Sequence, residues 1–264
     1  MEQYFAASSI RFIKKTFYIV EIELRKLRHD PTELFTRALQ PVLWMLIFGE
    51  VFAQIRAIPT GTIGYLDFMA PGILAQSVLF VSIFYGIAII WERDLGIVHK
   101  FLVSPTPRAA LVLGKAISAG VRGLSQAIII YILSFILGVN LNWSAEALGG
   151  ILIFVFLGSA LFSTFSLIIA CIVKTRERFM GIGQILTMPL FFASNAIYPI
   201  SIMPSWLKFL AHGNPLTYVV DALRGLMLAE STAVYGLTAD FFILTAVTTL
   251  LVFIGSRLYP NVVV

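Results

Sequence analysis

Charge is scarce in this chain. Charged residues make up 12% of it, roughly half of the quarter or so usual in a soluble domain. Too little polar surface is present to cover a water-soluble globule, which excludes a soluble enzyme or soluble binding module. Cysteine is nearly missing. The one residue, Cys171, lies in an apolar run, so a disulfide framework and a cysteine metal cluster are excluded. The three histidines, His29, His99 and His212, fall in connecting regions, and none is spaced with Cys, Asp or Glu as metal ligands would be. No HExxH, no GxSxG and no paired intramembrane carboxylates occur, which removes the usual grounds for a hydrolase. There is no GxxxxGK[ST], so the chain does not hold ATP through a P-loop. A short apolar core followed by small residues is absent at the start, and no cleavable leader is expected. No long repeat, low-complexity tract or Ser/Gly linker appears.

Apolar sequence fills the space. Hydrophobic residues are 59% of 264, and mean hydropathy is +0.91. These values specify a polytopic, all-α membrane protein, with length for a single membrane domain over 1–264. The net charge of +5 is no nucleic-acid signal. Much of it precedes the first span, where it suits anionic headgroups and sets orientation.

Six spans are expected. Residues 10–28 come before them as an amphipathic helix lying on the inner membrane surface. Its stripe is Ile13, Phe17, Val20, Leu24 and Leu27, with Lys14, Glu21, Arg25 and Arg28 opposite. Asp30-Pro31 ends it. The spans run from about Leu34 to Ile55, Phe68 to Trp91, Ala109 to Val139, Ala147 to Val173, near Phe179 onward, and Leu237 to Leu258. Lys115 is expected to snorkel to the inner interface, and Arg122 to face protein or a wet cavity. Residues 205–230 read as two short helical pieces around Gly213-Asn214-Pro215, a re-entrant or interface-lying hairpin at the outer face. Cations recur in the second-to-third and fourth-to-fifth connections, which places both termini in the cytoplasm.

The segment from Trp91 to Lys115 carries more than a loop needs. Ile97, Val98, Phe101 and Leu102 alternate with Glu92, Arg93, Asp94, His99 and Lys100. That pattern forms a small amphipathic helix able to touch something on the cytoplasmic side. Within the spans, Gln76, Gln126, Gln184 and Asn195 either line a pathway or bond between helices. Glu50 and Arg122 are pathway candidates, with a structural ion pair or an interface position as the alternatives. Among the aromatics, Phe80, Phe84, Tyr85, Phe191 and Phe192 are placed to face an amphipathic substrate.

Three stretches in this order carry a resemblance. They are APG at 70–72, ERDLGIVHKFLVSPTPR at 92–108 with GK at 114–115, and NPLTYVVDALRG at 214–225. Over nearly its whole length the chain resembles the permease subunit of type-2 ABC exporters, in the daunorubicin-resistance-like and Nod-factor-export-like branch. The resemblance implies two permease subunits, two copies of it or a related one, with two separate P-loop ATPase subunits holding ATP and Mg. This chain itself would bind no cofactor. It implies that 92–106 is the coupling helix, docking through Glu92, Arg93, Asp94, Ile97, Phe101, Leu102, Ser104 and Pro105. Lys174, Arg176, Glu177 and Arg178 would make a second cytoplasmic contact, and Glu50, Gln76, Arg122 and Asn195 would line a substrate path. The implied activity is export of an amphipathic drug-like, lipid or glycolipid molecule across the plasma (inner) membrane. A polysaccharide exporter of the same family is the alternative, ahead of an ATP-independent transporter or an intramembrane enzyme.

Overall fold

The computed structural model describes residues 2–29, 32–55, 58–60, 63–104, 106–173, 175–229 and 232–262, with side chains from residue 12 onward except those of residues 27, 33–35 and 261. The described residues are helical apart from turns, and the one β-type pairing is an isolated bridge between Leu141 and Leu228. In order, the helices are α1 (Glu2–His29), α2 (Thr32–Leu43), α3 (Glu50–Ile55), α4 (Tyr65–Tyr85), α5 (Ile87–Asp94), α6 (Ile97–Val103), α7 (Arg108–Ile136), α8 (Ala145–Ile172), α9 (Arg176–Phe192), α10 (Ser205–Gly213), α11 (Pro215–Met227) and α12 (Leu237–Leu258). A π-helical turn, Trp44–Gly49, joins α2 to α3. It follows Pro41, which has no N–H to give the carbonyl one turn back.

Among the described residues, five continuous helical stretches are long and apolar enough to cross a bilayer: Thr36–Ile55, Tyr65–Asp94, Arg108–Ile136, Ala145–Ile172 and Leu237–Leu258. The expected fifth of six spans is the exception. It forms α9, with 17 residues, which at about 1.5 Å per residue falls short of a hydrocarbon core of about 30 Å. Ala193 to Tyr198 then turns, as the crowd of prolines at 189, 199 and 204 foretold. The sixth expected span matches α12 at both ends.

The core has two parts. The larger surrounds α4, whose Met69, Ile73, Leu74 and Leu79 are fully buried against α7, α8 and α11. Small residues on the fourth span allow this, because Gly158, Ser159 and Ala160 present little bulk to their neighbours. The smaller part joins Ile19 of α1 to Ile89, Ile90, Val98 and Phe179. Close approach of α1 to α7 depends on Gly114, since a Cβ there would stand 2.6 Å from Ile19.

The connecting segments collect at two ends. At one, Asn140 N–H donates to Asp67 (3.0 Å), Asn142 N–H to the Met227 carbonyl (2.8 Å), and Arg224 to the carbonyls of Phe68 (3.1 Å) and Asn195 (2.8 Å). We call this the hairpin end, because α10 and α11 meet there at Asn214. The Asn214 side chain accepts the Leu216 N–H and donates to the Leu190 carbonyl. Trp206 and Phe209 of α10 are exposed, whereas Leu216, Val219, Val220 and Leu223 of α11 are buried among α4, α8 and α12. The other end gathers α1, α5, α6, the start of α9 and the turn Tyr259–Val262, and it carries the charge.

Candidate functional site at the charged end

The amphipathic helix expected over 92–106 is two pieces. Helix α5 continues the second span to Asp94, and Gly96, at φ 71°, turns the chain into α6. A left-handed φ suits glycine, and no side chain could follow it there without strain. Ser104 closes α6 by donating to the Phe101 carbonyl (2.8 Å) and to Thr106 Oγ1 (2.9 Å). Pro105 and Lys174 lie outside the described residues.

The expected docking residues divide by burial. Val98 is buried, and Phe101 and Leu102 pack partly against the smaller core, with Ile97 half-buried. The apolar side chains that reach solvent are Leu95 (69% exposed), Val103 (85%) and Trp91 (49%). His99 and Lys100 are exposed beside them. The apolar strip seen in the sequence therefore seats α6 on its own chain, and a second, smaller apolar set faces outward.

Glu92 faces inward. Its Oε2 lies 2.9 Å from Lys115 Nζ, and its Oε1 lies 2.8 Å from Lys26 Nζ. Glu23 of α1 joins the same group, with Oε1 3.2 Å from both Lys115 and Lys26 and Oε2 3.8 Å from Arg122. Arg122 also stands over the Tyr85 ring, 4.2 Å from its centroid. Glu23, Glu92, Lys115 and Arg122 are each 6% exposed or less. Lys115 thus does not snorkel to the interface as expected, because two buried carboxylates hold it within the protein. Arg122 faces protein. The α1 stripe is rotated for the same reason: Thr16, Ile19, Val20 and Glu23 are inside, while Ile13 and Phe17 are exposed. Leu27 is outside the described side chains. Burial alone would raise the Glu23 carboxyl, but Lys115 and Lys26 overcome it and bring it down to about 2. Tyr259 caps the cluster from the C-terminal turn, its phenol pushed up to about 12 by burial.

Asp94, two residues past Glu92, faces the other way. Its Oδ2 lies 2.7 Å from Arg176 at the start of α9, and its Oδ1 lies 2.9 Å from Arg93. The Arg176 guanidinium stacks over Trp91, 3.6 Å from the ring centroid. Thr175 caps α9 by accepting the Arg178 N–H, and Glu177 and Arg178 are exposed. The segments 92–104 and 175–178, expected as two separate contacts, meet through the Asp94–Arg176 pair.

The four expected path residues are not brought together. Arg122 is in the charged cluster beside Tyr85, and the Asn195 carbonyl accepts from Arg224 beside Phe68. Phe68 and Tyr85 are 17 positions apart on α4, or roughly 25 Å along the helix. Gln76 is buried in the α4 core, and Glu50 is half-buried at the start of α3. A different set lines an open groove of about 250 Å³: Thr36, Arg37 and Gln40 of α2, Phe80, Val81 and Phe84 of α4, and Gln184 of α9. It continues along α2 into an apolar groove of about 430 Å³ walled by Leu39, Leu43, Trp44, Ile47 and Phe48. Phe80 and Phe84 line the first of these grooves. Tyr85 and Phe191 are buried. Arg37 and Gln40 share a helical face one turn apart on α2, a spacing visible in the sequence.

A family model described as "ABC-2 type transporter" matches residues 14–228, which takes in the second half of α1, the Asp94–Arg176 contact, the groove and the hairpin. The chain belongs to the ABC-2 type transporter family. The permease is 30% identical over 221 residues to the putative transport permease ycf38 of Cyanophora paradoxa, covering 83% of this chain and 76% of that one. It is 24% identical over 201 residues to the daunorubicin resistance ABC transporter permease protein DrrB1 of Streptomyces coeruleorubidus, covering 76% and 70%. It is 24% identical over 195 residues to the inner membrane transport permease YadH of Escherichia coli K12, covering 70% and 72%. It is a multi-pass membrane transport protein, and its relatives are named as permeases rather than as enzymes.

Proposed function

We propose that this chain is the membrane-spanning subunit of an ATP-driven exporter, and that the outward-facing surface of α5 and α6 seats a separate P-loop ATPase. The observation that carries this reading is the exposure of Trp91 on α5, Leu95 at the bend and Val103 at the end of α6, a short helix whose other side is anchored in its own core. Such a helix transmits a push, because a seated lever moves its whole base. ATP and Mg belong to the ATPase, and this chain holds neither. Two ATPases act on two permease subunits, either two copies of this chain or a related pair.

In this reading the chain is one transmembrane domain with six spans, α9 serving as the short fifth. The charged end is cytoplasmic, both termini lie inside, and α10 and α11 form a re-entrant hairpin at the outer face of the plasma (inner) membrane. The cargo is an amphiphile that lies along α2, its polar part at Arg37, Gln40 and Gln184 and its apolar part against Phe80, Phe84 and Leu43. Binding of ATP changes the packing of the second and third spans, which leave either side of α6. Only contacts that differ between the two states drive that change.

The test is reconstitution of the permease with its ATPase in liposomes containing a fluorescent amphiphile with an anionic headgroup. ATP-dependent movement of the probe that Phe84→Ala with Arg37→Ala reduces at least about tenfold, a loss of about 1.4 kcal/mol of differential binding, supports the reading. ATP-independent movement overturns it.

A further inference from the structure

Helix α9 is lightly held. It buries one narrow stripe, Phe179, Gly183, Thr187 and Phe191, and its opposite face is open. The glycine and threonine in that stripe supply little apolar area to fix it. Yet α9 supplies Gln184 to the groove, so its position sets the groove's width. At its first residue it is tied to α5 through Arg176, whose guanidinium meets Asp94 at 2.7 Å and lies flat on Trp91. Helix α5 reaches the other wall of the groove by a different route. Glu92 binds Lys115 and Lys26, and Lys26 lies on α1, the helix that leads into α2.

We propose that Arg176 is a positioning residue that carries the motion of α5 to α9, so that the coupling segment moves both walls of the groove at once. The inference rests on the reading of α5 and α6 as the partner-driven segment. The two ties differ in kind. The Glu92 side is buried, and losing it damages the fold. The Asp94–Arg176 side is about one-third exposed, with 36% of each side chain accessible. An exposed ion pair contributes little to stability, so what it does hold is direction. The planar guanidinium fits this, because stacking on Trp91 fixes its plane while Asp94 fixes its end. Arg176 is thereby committed within its own chain, and Glu177 and Arg178 are the exposed charges beside it.

The experiment uses the full chain in liposomes. Cys171 is the one cysteine, so Cys171→Ser gives a background in which Lys100→Cys on α6 and Ile185→Cys on α9 carry two spin labels at exposed positions outside the Trp91, Leu95 and Val103 set. Pulsed electron paramagnetic resonance then reads the α6-to-α9 distance. With labelled chain diluted into unlabelled Cys171→Ser chain, so that distances between permease copies drop out, one narrow distance is expected with Asp94 and Arg176 intact. In Arg176→Ala and Asp94→Ala the distribution is expected to be at least about twofold broader with an unchanged thermal midpoint, as the loss of an exposed pair implies. Arg176→Lys keeps the charge without the flat stack and falls between. The exchange Asp94→Arg with Arg176→Asp restores the narrow distance. A width unchanged in Arg176→Ala, an exchange that restores nothing, or a lowered midpoint that the exchange leaves lowered would each overturn the proposal. A second arm adds the ATPase that purifies with the chain. ATP should shift the distance in the parent and fail to shift it in Arg176→Ala while hydrolysis continues. If no ATPase purifies with the parent chain, the partner reading fails, and the distance widths still decide the role of Arg176.

Discussion

Glu92 Oε2 lies 2.9 Å from Lys115 Nζ, and neither side chain is more than 8% exposed. That contact crosses from the end of the second span to the third, and Glu23 brings α1 to the same lysine. A buried ion pair of this kind adds little net stability when whole but costs much when broken, because the remaining charges stay buried without a counterion. Lys115→Met should therefore cost about 3–5 kcal/mol, read as a lowered denaturation midpoint in detergent. Adding Glu92→Gln to it should recover part of that loss, because Glu23 still faces Lys26 and Arg122. A single variant as stable as the parent would mean the carboxylates are satisfied elsewhere.

Acid should act through Glu23. Its carboxyl is lowered from its ordinary 4.5 to about 2 by Lys115 and Lys26 against the opposing effect of burial. A lowered folded value means the unfolded chain binds the proton first. The stabilisation is complete above about pH 4.5 and is lost as pH falls toward 2. Unfolding followed over that window should show a steeper decline in the parent than in Glu23→Gln. Parallel curves would contradict the assignment.

Burial also separates two substitutions that look alike in the sequence. Phe101 packs on the core and Leu95 does not. Phe101→Asp should lower stability by about 1–3 kcal/mol, the cost of burying an unpaired polar group. Leu95→Asp should stay within about 0.5 kcal/mol of the parent, as exposed changes do. Thermal midpoints of the two purified variants decide this, and equal losses would count against the orientation of α6.

At the hairpin end, Arg224 ties α11 to α4 and to the turn after α9 through the Phe68 and Asn195 carbonyls. Burial lowers its guanidinium to about 10, with Asp221 working against that shift. Arg224→Met should remove both bonds and leave the buried Asn195 carbonyl without its partner, at about 1–3 kcal/mol. Protease sensitivity of the 193–204 segment should rise in that variant. Unchanged cleavage would show that Asn195 is held by other means.

Much of the architecture was legible because the solvent dictates it. Runs such as 68–91 and 237–258 have no economical place other than an apolar phase, and α12 falls on its expected ends. Asn214-Pro215 marked the hairpin tip, since a cap residue followed by proline begins a helix cleanly. The helix around 97–103 was legible from its period, but which side faced out was not. Phe101 and Val103 are both apolar, and periodicity cannot separate a face seated on its own core from one left for a partner. The charged cluster was hidden for a different reason. Glu23, Glu92 and Lys115 are 23 to 92 positions apart, and no local spacing pairs residues so distant. The break after α9 was foreshadowed by Pro189, Pro199 and Pro204, whereas the contact of Arg176 with Asp94 at its start was not.

The attachment of an ATPase to α5 and α6 is tested most directly by affinity purification of the full permease from membranes. The parent chain should bring with it a polypeptide that hydrolyses ATP and carries GxxxxGK[ST]. The doubly substituted Leu95→Asp, Val103→Asp chain, folded as judged by its thermal midpoint, should bring at least about tenfold less, the loss of about 1.4 kcal/mol of contact. Equal recovery of the ATPase with parent and variant would contradict docking at this surface.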